Sequence, residues 1–168
     1  MNLFFDTSAV VKLYHNEKGT DNLTNTLQRD FDNLTLLMTD VSMIEFRSAI
    51  MKRVRIKDIK LEQAQEMVEL FNNDIPMFNI IEVNTVVKNL AIQLLEAIAP
   101  RSNLGTLDAI QLAASILSHQ WITIDYFVSC DKRLLSFAKQ YFNTFNPEIE
   151  SAMDTNFDKT SAWYSNRA

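Results

Sequence analysis

Short apolar runs alternate with stretches of helical periodicity along these 168 residues, and the alternation predicts an α/β domain on a mainly parallel sheet. The length agrees, since one domain of this size buries an ordinary core. A third observation concerns placement. Acidic residues stand where apolar runs pass into helices, and open parallel sheets bind ligands outside the carboxyl ends of their strands.

The opening run NLFF predicts a strand over residues 3–5, and the Asp-Thr-Ser beyond it is a start signal for a helix over 8–15. A helix over 20–31 follows Gly19, and LTLLM places a second strand over 34–38. Asp40 and Ser42 offer starts for a helix over 41–54, and another helix is predicted over 58–73. Phe, Ile and Val then favour a strand over 78–83. Helices over 85–99 and 107–118 are separated by Pro100, Ser102, Asn103 and Gly105, which punctuate a loop within one domain. The run YFVS predicts a strand over 126–129, followed by a helix over 132–141 and a short fifth strand over 143–145. Past Pro147 the composition turns polar. The domain is therefore expected over 1–146, with 147–168 a polar appendage that carries Trp163 and Tyr164.

Composition excludes several function classes. No apolar run approaches the roughly 20 residues of a membrane span, and the N-terminus lacks the basic opening of a signal peptide, so a cytoplasmic protein with no membrane partner is expected. Cys130 is the only cysteine, which rules out an intrachain disulfide and a cysteine zinc site. His15 and His119 lie far apart without a motif and read as surface or helix-end residues. A net charge of −5 argues against coating nucleic acid by bulk electrostatics, while leaving room for a local basic rim. Two glycines cannot supply a GxGxxG fingerprint or a Walker A loop. The aromatics Phe4, Phe5, Phe46, Phe127 and Phe137 and the methionines Met43, Met51, Met67 and Met77 read as core, Cys130 as packing, and Tyr14, Trp163 and Tyr164 as interface candidates.

Four acids remain as candidates for chemistry: Asp6, Glu45, Asp108 and Asp131. Asp6 and Asp131 end predicted strands, where a helix N-cap contributing about 1 kcal/mol is the ordinary role. Glu45 has Val41 and Ala49 at i−4 and i+4, and Asp108 lies in a helix apolar around most of its circumference, so both stand beside buried faces. Two carboxylates about 4 Å apart repel by roughly 4 kcal/mol at an effective dielectric near 20. A Mg²⁺ or Mn²⁺ ion removes that cost, and an acid cluster holding one is suited to phosphodiester chemistry.

The segments FFDTSAVVKLY, VSMIEFRSAI, LDAIQLAAS and FVSCDKRLLSFA, in that order, closely resemble the acidic motifs of the PIN-domain ribonucleases, particularly the VapC-type toxins of bacterial type II toxin-antitoxin systems. The resemblance runs from residue 1 to about 146. It implies a three-layer α/β/α fold, Mg²⁺- or Mn²⁺-dependent endoribonuclease activity leaving 5′-phosphate and 3′-hydroxyl ends, a homodimer, and a cognate antitoxin. Asp6, Glu45, Asp108 and Asp131 map onto the family's acidic quartet, with Asp6 and Asp108 as direct metal ligands and Glu45 and Asp131 completing the shell. Ser8 and Ser129 match its supporting hydroxyls.

RNA must still be held by an acidic protein. Lys12, Arg47, Lys132 and Arg133 lie close in sequence to the acidic motifs, and Arg47, Lys132 and Arg133 are the phosphate candidates. The run MKRVRIKDIK, with Lys52, Arg53, Arg55, Lys57 and Lys60, reads as a solvated helical face. A haloacid-dehalogenase-like phosphatase also begins with a strand-borne Asp, but needs a second Asp where this chain has Ser8. The other alternative is an inert PIN-like module that binds RNA or protein.

Overall fold

A computed structural model describes residues 1–29 and 33–153. Its strands are β1 Asn2–Phe5, β2 Thr35–Thr39, β3 Phe78–Ile81, β4 Tyr126–Val128 and β5 Asn143–Phe145. The helices are α1 Thr7–Val11, α2 Thr20–Arg29, α3 Asp40–Arg55, α4 Leu61–Asp74, α5 Thr85–Ile98, α6 Thr106–Ser118 and α7 Lys132–Ala138. All five strands run parallel in the order β3-β2-β1-β4-β5. The chain thus winds outward from β1 to β3, then crosses to the other side of β1, which makes the carboxyl ends of β1 and β4 the topological switch point.

Alternation along β1 divides the core into two layers. Phe4 packs on one face with buried residues of α5, α6 and α7, such as Leu94, Leu112 and Leu134. Leu3 and Phe5 pack on the other with Val10 of α1, Leu23 of α2, Phe46 of α3 and Phe71 of α4. Helices therefore cover both faces of a parallel sheet, the three-layer α/β/α arrangement, and a strand buried on both sides reads as a continuous apolar run. Among the described residues no helix is long and apolar enough to cross a membrane.

Several element ends differ from expectation, each for a local reason. The first helix stops at Val11, because residues 12–14 tighten to i→i−3 bonds onto Ala9, Val10 and Val11. The third strand stops at Ile81, because the Val83 amide donates to the Asp40 carboxylate at 3.1 Å instead of joining the ladder. The fourth helix begins at Leu61 instead of residue 58, after Lys57 adopts a left-handed conformation at φ 62°. The last helix ends at Ala138, where Gln140 and Tyr141 bond back to Phe137 and Ala138 in a tightened turn. Residue 31, the expected end of the second helix, lies outside the described residues, as do Trp163 and Tyr164.

Residues 147–153, which composition assigned to the appendage, dock on the domain. The Pro147 carbonyl accepts a hydrogen bond from Asn22 Nδ2 at 2.8 Å, Glu148 pairs with Lys12, and Met153 is buried. The five phenylalanines read as core are buried, whereas Met77 is 55% exposed at the end of the short 3-10 turn Ile75–Met77. Tyr14, an interface candidate from sequence, is used internally instead. Its ring meets Phe46 and Phe71 edge-on, with centroids at 5.2 and 5.4 Å, and its hydroxyl donates to Asp74 at 3.1 Å.

Phe46 joins α3 to α4 through Phe71, centroid to centroid 4.2 Å, while also touching Tyr14. Replacing it by alanine leaves a cavity between three rings, so Phe46→Ala is expected to lower stability by about 3–5 kcal/mol in urea unfolding. A loss below about 1 kcal/mol would show that this cluster does not hold α3 in place.

Candidate active site

Asp6 follows the last residue of β1, and its amide extends the ladder by donating to the Val128 carbonyl at 2.9 Å. Its carboxylate caps α1 and is only 8% exposed. Oδ2 accepts from Ser8 Oγ at 2.6 Å, Ser129 Oγ at 2.9 Å and the Ser8 amide at 3.3 Å. Ser129 comes from the end of β4, so the two sides of the switch point meet on one oxygen. Among the described residues no donor reaches Oδ1. Burial pushes this carboxyl above its usual range; the Ser8 and Ser129 hydroxyls act against that, and the charge of Glu45 adds to it.

Glu45 stands on α3, whose start is set by Thr39 accepting from the Ser42 amide at 3.2 Å. Its Oε2 accepts from Thr7 Oγ1 at 2.7 Å and from Gln111 Nε2 at 3.0 Å. Gln111 is 1% exposed and also donates to Ser42 Oγ at 3.0 Å while Thr39 Oγ1 donates to its Oε1 at 3.2 Å. This buried network ties α3, α6 and the start of α1 together around one carboxylate, again leaving the other oxygen, Oε1, without a protein donor among the described residues.

Asp108 and Asp131 form a second pair. Asp108 lies in the first turn of α6, beside Gly105, where a Cβ would come within 3.2 Å of its Oδ2. Asp131 caps α7 through Oδ1, which accepts from the Arg133 and Leu134 amides at 2.7 and 3.1 Å. One nitrogen, Arg133 Nη2, bridges the pair at 3.4 Å from Asp108 Oδ2 and 3.5 Å from Asp131 Oδ2. All three side chains are partly exposed, at 21%, 38% and 45% for Asp108, Asp131 and Arg133, so this bridge is solvent-screened and readily opened.

Asp6 and Glu45 are thus electrostatically coupled, and Asp108 and Asp131 are linked through Arg133. Among the described residues no three His, Cys, Asp or Glu side chains already stand as a metal-holding group. The donor chemistry nevertheless suits a hard cation: Asp6 and Glu45 each have one oxygen anchored by the protein and one left over.

The other expected residues divide. Ser8 and Ser129 support Asp6 directly. Lys132 is exposed at the start of α7. Arg47 is held on α4, donating to Asn72 Oδ1 at 2.5 Å and to Met43 carbonyl at 2.6 Å with its guanidinium 5.9 Å from the Phe71 ring. Lys12 is buried and paired with Glu17 and Glu148. By contrast, Lys52 and Arg55 from the basic run line a depression of about 360 Å³ with Thr7, Ser8 and Glu45. Burial pushes the Cys130 thiol up to about 12, which disfavours the thiolate a nucleophile would need. His119 accepts from the Ile124 amide at 2.9 Å at the end of α6.

A carboxyl whose folded pKa lies above its unfolded value of 3.8 holds its proton more tightly when folded, so stability falls as pH rises from the unfolded range through the folded one. Asp6→Asn removes that penalty. In metal-free buffer with chelator, the Tm of Asp6→Asn relative to wild type is expected to be highest near pH 7, to decline as pH falls through the raised folded value toward the unfolded 3.8, and to level off below it. A relative Tm that climbs on acidification would contradict the burial of this charge.

Three solved structures show the same architecture at low sequence identity. They are VapBC2 from Rickettsia felis bound to a DNA fragment from their promoter (16% identity, TM-score 0.63, 87% of this chain and 100% of that chain), FitAcB from Neisseria gonorrhoeae (14%, 0.62, 86% and 97%), and the sarcin-ricin loop cleaving toxin VapC20 of Mycobacterium tuberculosis (14%, 0.55, 80% and 94%). Comparison with curated protein sequences finds no match. The PIN-domain family model matches residues 3–140, and the chain belongs to the PIN-domain family.

Proposed function

We propose that this protein is a metal-dependent endoribonuclease that hydrolyses RNA phosphodiester bonds, and that it is the toxin of a toxin-antitoxin pair. The observation that carries the reading is the pair of anchored carboxylates, Asp6 and Glu45, each with one oxygen left over at the switch point of a PIN domain. The similar folds of VapBC2, FitAcB and VapC20 support the toxin assignment, and VapC20, a toxin that cleaves the sarcin-ricin loop, supports an RNA substrate. An antitoxin partner, a homodimer and a cytoplasmic location complete the reading.

Asp6 and Asp108 would hold the ion, Mg²⁺ or Mn²⁺, with Glu45 and Asp131 completing the shell. When bound, such an ion offsets phosphate charge and lowers the pKa of water. Ser8 and Ser129 fix the Asp6 carboxylate, so little reorganisation is needed during reaction. Glu45, fixed by Thr7 and Gln111, presents Oε1 to orient the attacking water and take up its proton. Arg133 releases Asp108 and Asp131 and turns its guanidinium to phosphate oxygens, with Lys132 beside it. Lys52 and Arg55 extend the phosphate track along the depression.

A second reading, an inert PIN module that binds RNA or protein, is favoured by the Arg133 bridge, which already neutralises Asp108 and Asp131. Mn²⁺ calorimetry separates the two, since the inert module releases no binding heat. A phosphatase of the haloacid-dehalogenase type fits less well, because Ser8, at the position of its second Asp, is a hydrogen-bond donor to Asp6.

Purified wild type and Asp6→Asn, incubated with RNA in Mn²⁺, Mg²⁺ or chelator and followed by end sequencing, test the activity. The variant is expected to lose about 100-fold or more in cleavage, because loss of even an outer-shell partner costs a metal site 10–100-fold. Equal cleavage by both proteins would remove the assignment. For binding, the Lys52→Gln/Arg55→Gln double variant should reduce the slope of log K against log salt by about 1–2, one for each phosphate that is no longer neutralised. An unchanged slope would place the RNA elsewhere.

A further inference from the structure

Lys12 is 1% exposed, an unusual position for an ammonium. Its Nζ donates to Glu17 Oε1 at 2.8 Å, to the Lys18 carbonyl at 2.7 Å and to Glu148 Oε1 at 2.8 Å, which accounts for all three protons. Burial works against the charge, but Glu148 and Glu17 outweigh it and hold the pKa above the usual lysine value. Two of the acceptors belong to the loop after α1, the third to the turn after β5.

That ion pair draws the turn over residues 146–150 onto the loop. Gly19, at φ 90°, approaches Pro147 so closely that a Cβ would lie 2.7 Å from its carbonyl. Inside the turn Asn146 is 2% exposed. Its Oδ1 accepts from the Glu148 amide at 2.9 Å, and its Nδ2 donates to the Cys130 carbonyl at 3.3 Å. The Cys130 amide in turn donates to Ser8 Oγ at 2.9 Å. With one lone pair taken by that amide, the Ser8 hydroxyl directs its proton to Asp6 Oδ2.

We propose that Asn146 is a positioning residue for the acidic site: its carboxamide holds the Cys130 carbonyl, fixing the residue whose amide aims Ser8 at Asp6, and the Lys12–Glu148 pair locks the turn that carries it. The hydrogen-bond relay stands on geometry; its effect on metal binding rests on the nuclease reading above. Asn146 acts only through Cys130 and Ser8.

The test uses the full chain and Asn146→Leu, which keeps the side-chain shape without a new charge. Three quantities are measured: hydrogen exchange at the Cys130 amide, Mn²⁺ affinity by calorimetry, and thermal unfolding. The variant is expected to exchange the Cys130 amide faster and to bind Mn²⁺ about 10-fold more weakly, as outer-shell losses do. RNA cleavage should lose kcat with KM unchanged. Glu150→Gln is the control, because Glu150 contacts the same turn through the Asn146 amide and makes no hydrogen bond to Cys130; it should match wild type in Mn²⁺ affinity. Unchanged Cys130 exchange, or unchanged Mn²⁺ affinity, in a folded Asn146→Leu would overturn the proposal. If wild type binds no Mn²⁺, the nuclease reading fails and Cys130 exchange alone supports or overturns the relay. Should Asn146→Leu not fold, Glu148→Ala, at a site 34% exposed, releases the lock. Faster Cys130 exchange is then expected, and wild-type exchange overturns the proposal.

Discussion

A carboxylate at the end of a central strand loses most of its water, and a charge so placed must be supplied with donors or give up its charge. Asp6 is in that position, and the surrounding structure is organised to supply donors from two directions. Ser8 comes from the turn into α1, and Ser129 from the end of β4. They meet on one oxygen only because β4 lies beside β1, which the crossover from one half of the sheet to the other brings about. Sheet order, strand register and the first helix cap are all expressed at this carboxylate.

The four acids are held in two different ways, and the difference bears on function. Asp6 and Glu45 are anchored by buried hydroxyls and an amide, so their geometry is set by the fold. Asp108 and Asp131 are partly exposed and share one guanidinium, so their geometry can change at small cost. A rigid half and an adjustable half suit a centre that must admit a polyanion among carboxylates. Arg133 neutralises both acids at rest, and in the proposed mechanism it would be the group that turns to phosphate.

Much of this was legible in the sequence because it was periodic or punctuated. The alternating runs located all five strands, with β5 matching at both ends and the others shifted by one or two residues. Asp6 and Asp131 were recognisable at strand ends, and both cap the helix that follows. What escaped depended on long-range contact. Gln111 joins Glu45 across 66 residues, and its only sequence signal was a polar residue at i+3 from Asp108 on an otherwise apolar helix. Lys12 and Asn146 carried no local sign of burial, because Lys12 is closed off by Glu148 across 136 residues and Asn146 reaches back 16 residues to Cys130. Arg47 looked suitable for phosphate beside Glu45, yet α4 takes its guanidinium, while Lys52 and Arg55 in the less favoured run reach the depression. Helix faces are readable from spacing; which neighbour occupies a face is decided by tertiary packing.

The central claim, that the oxygen of Asp6 left over by Ser8 and Ser129 binds a divalent cation, is tested most directly by anomalous diffraction from crystals soaked in Mn²⁺. A single strong peak within coordination distance of Asp6 Oδ1, absent from Asp6→Asn crystals, is the predicted result. A wild-type map with no peak there, or with Mn²⁺ bound only at acids remote from the end of β1, would contradict it.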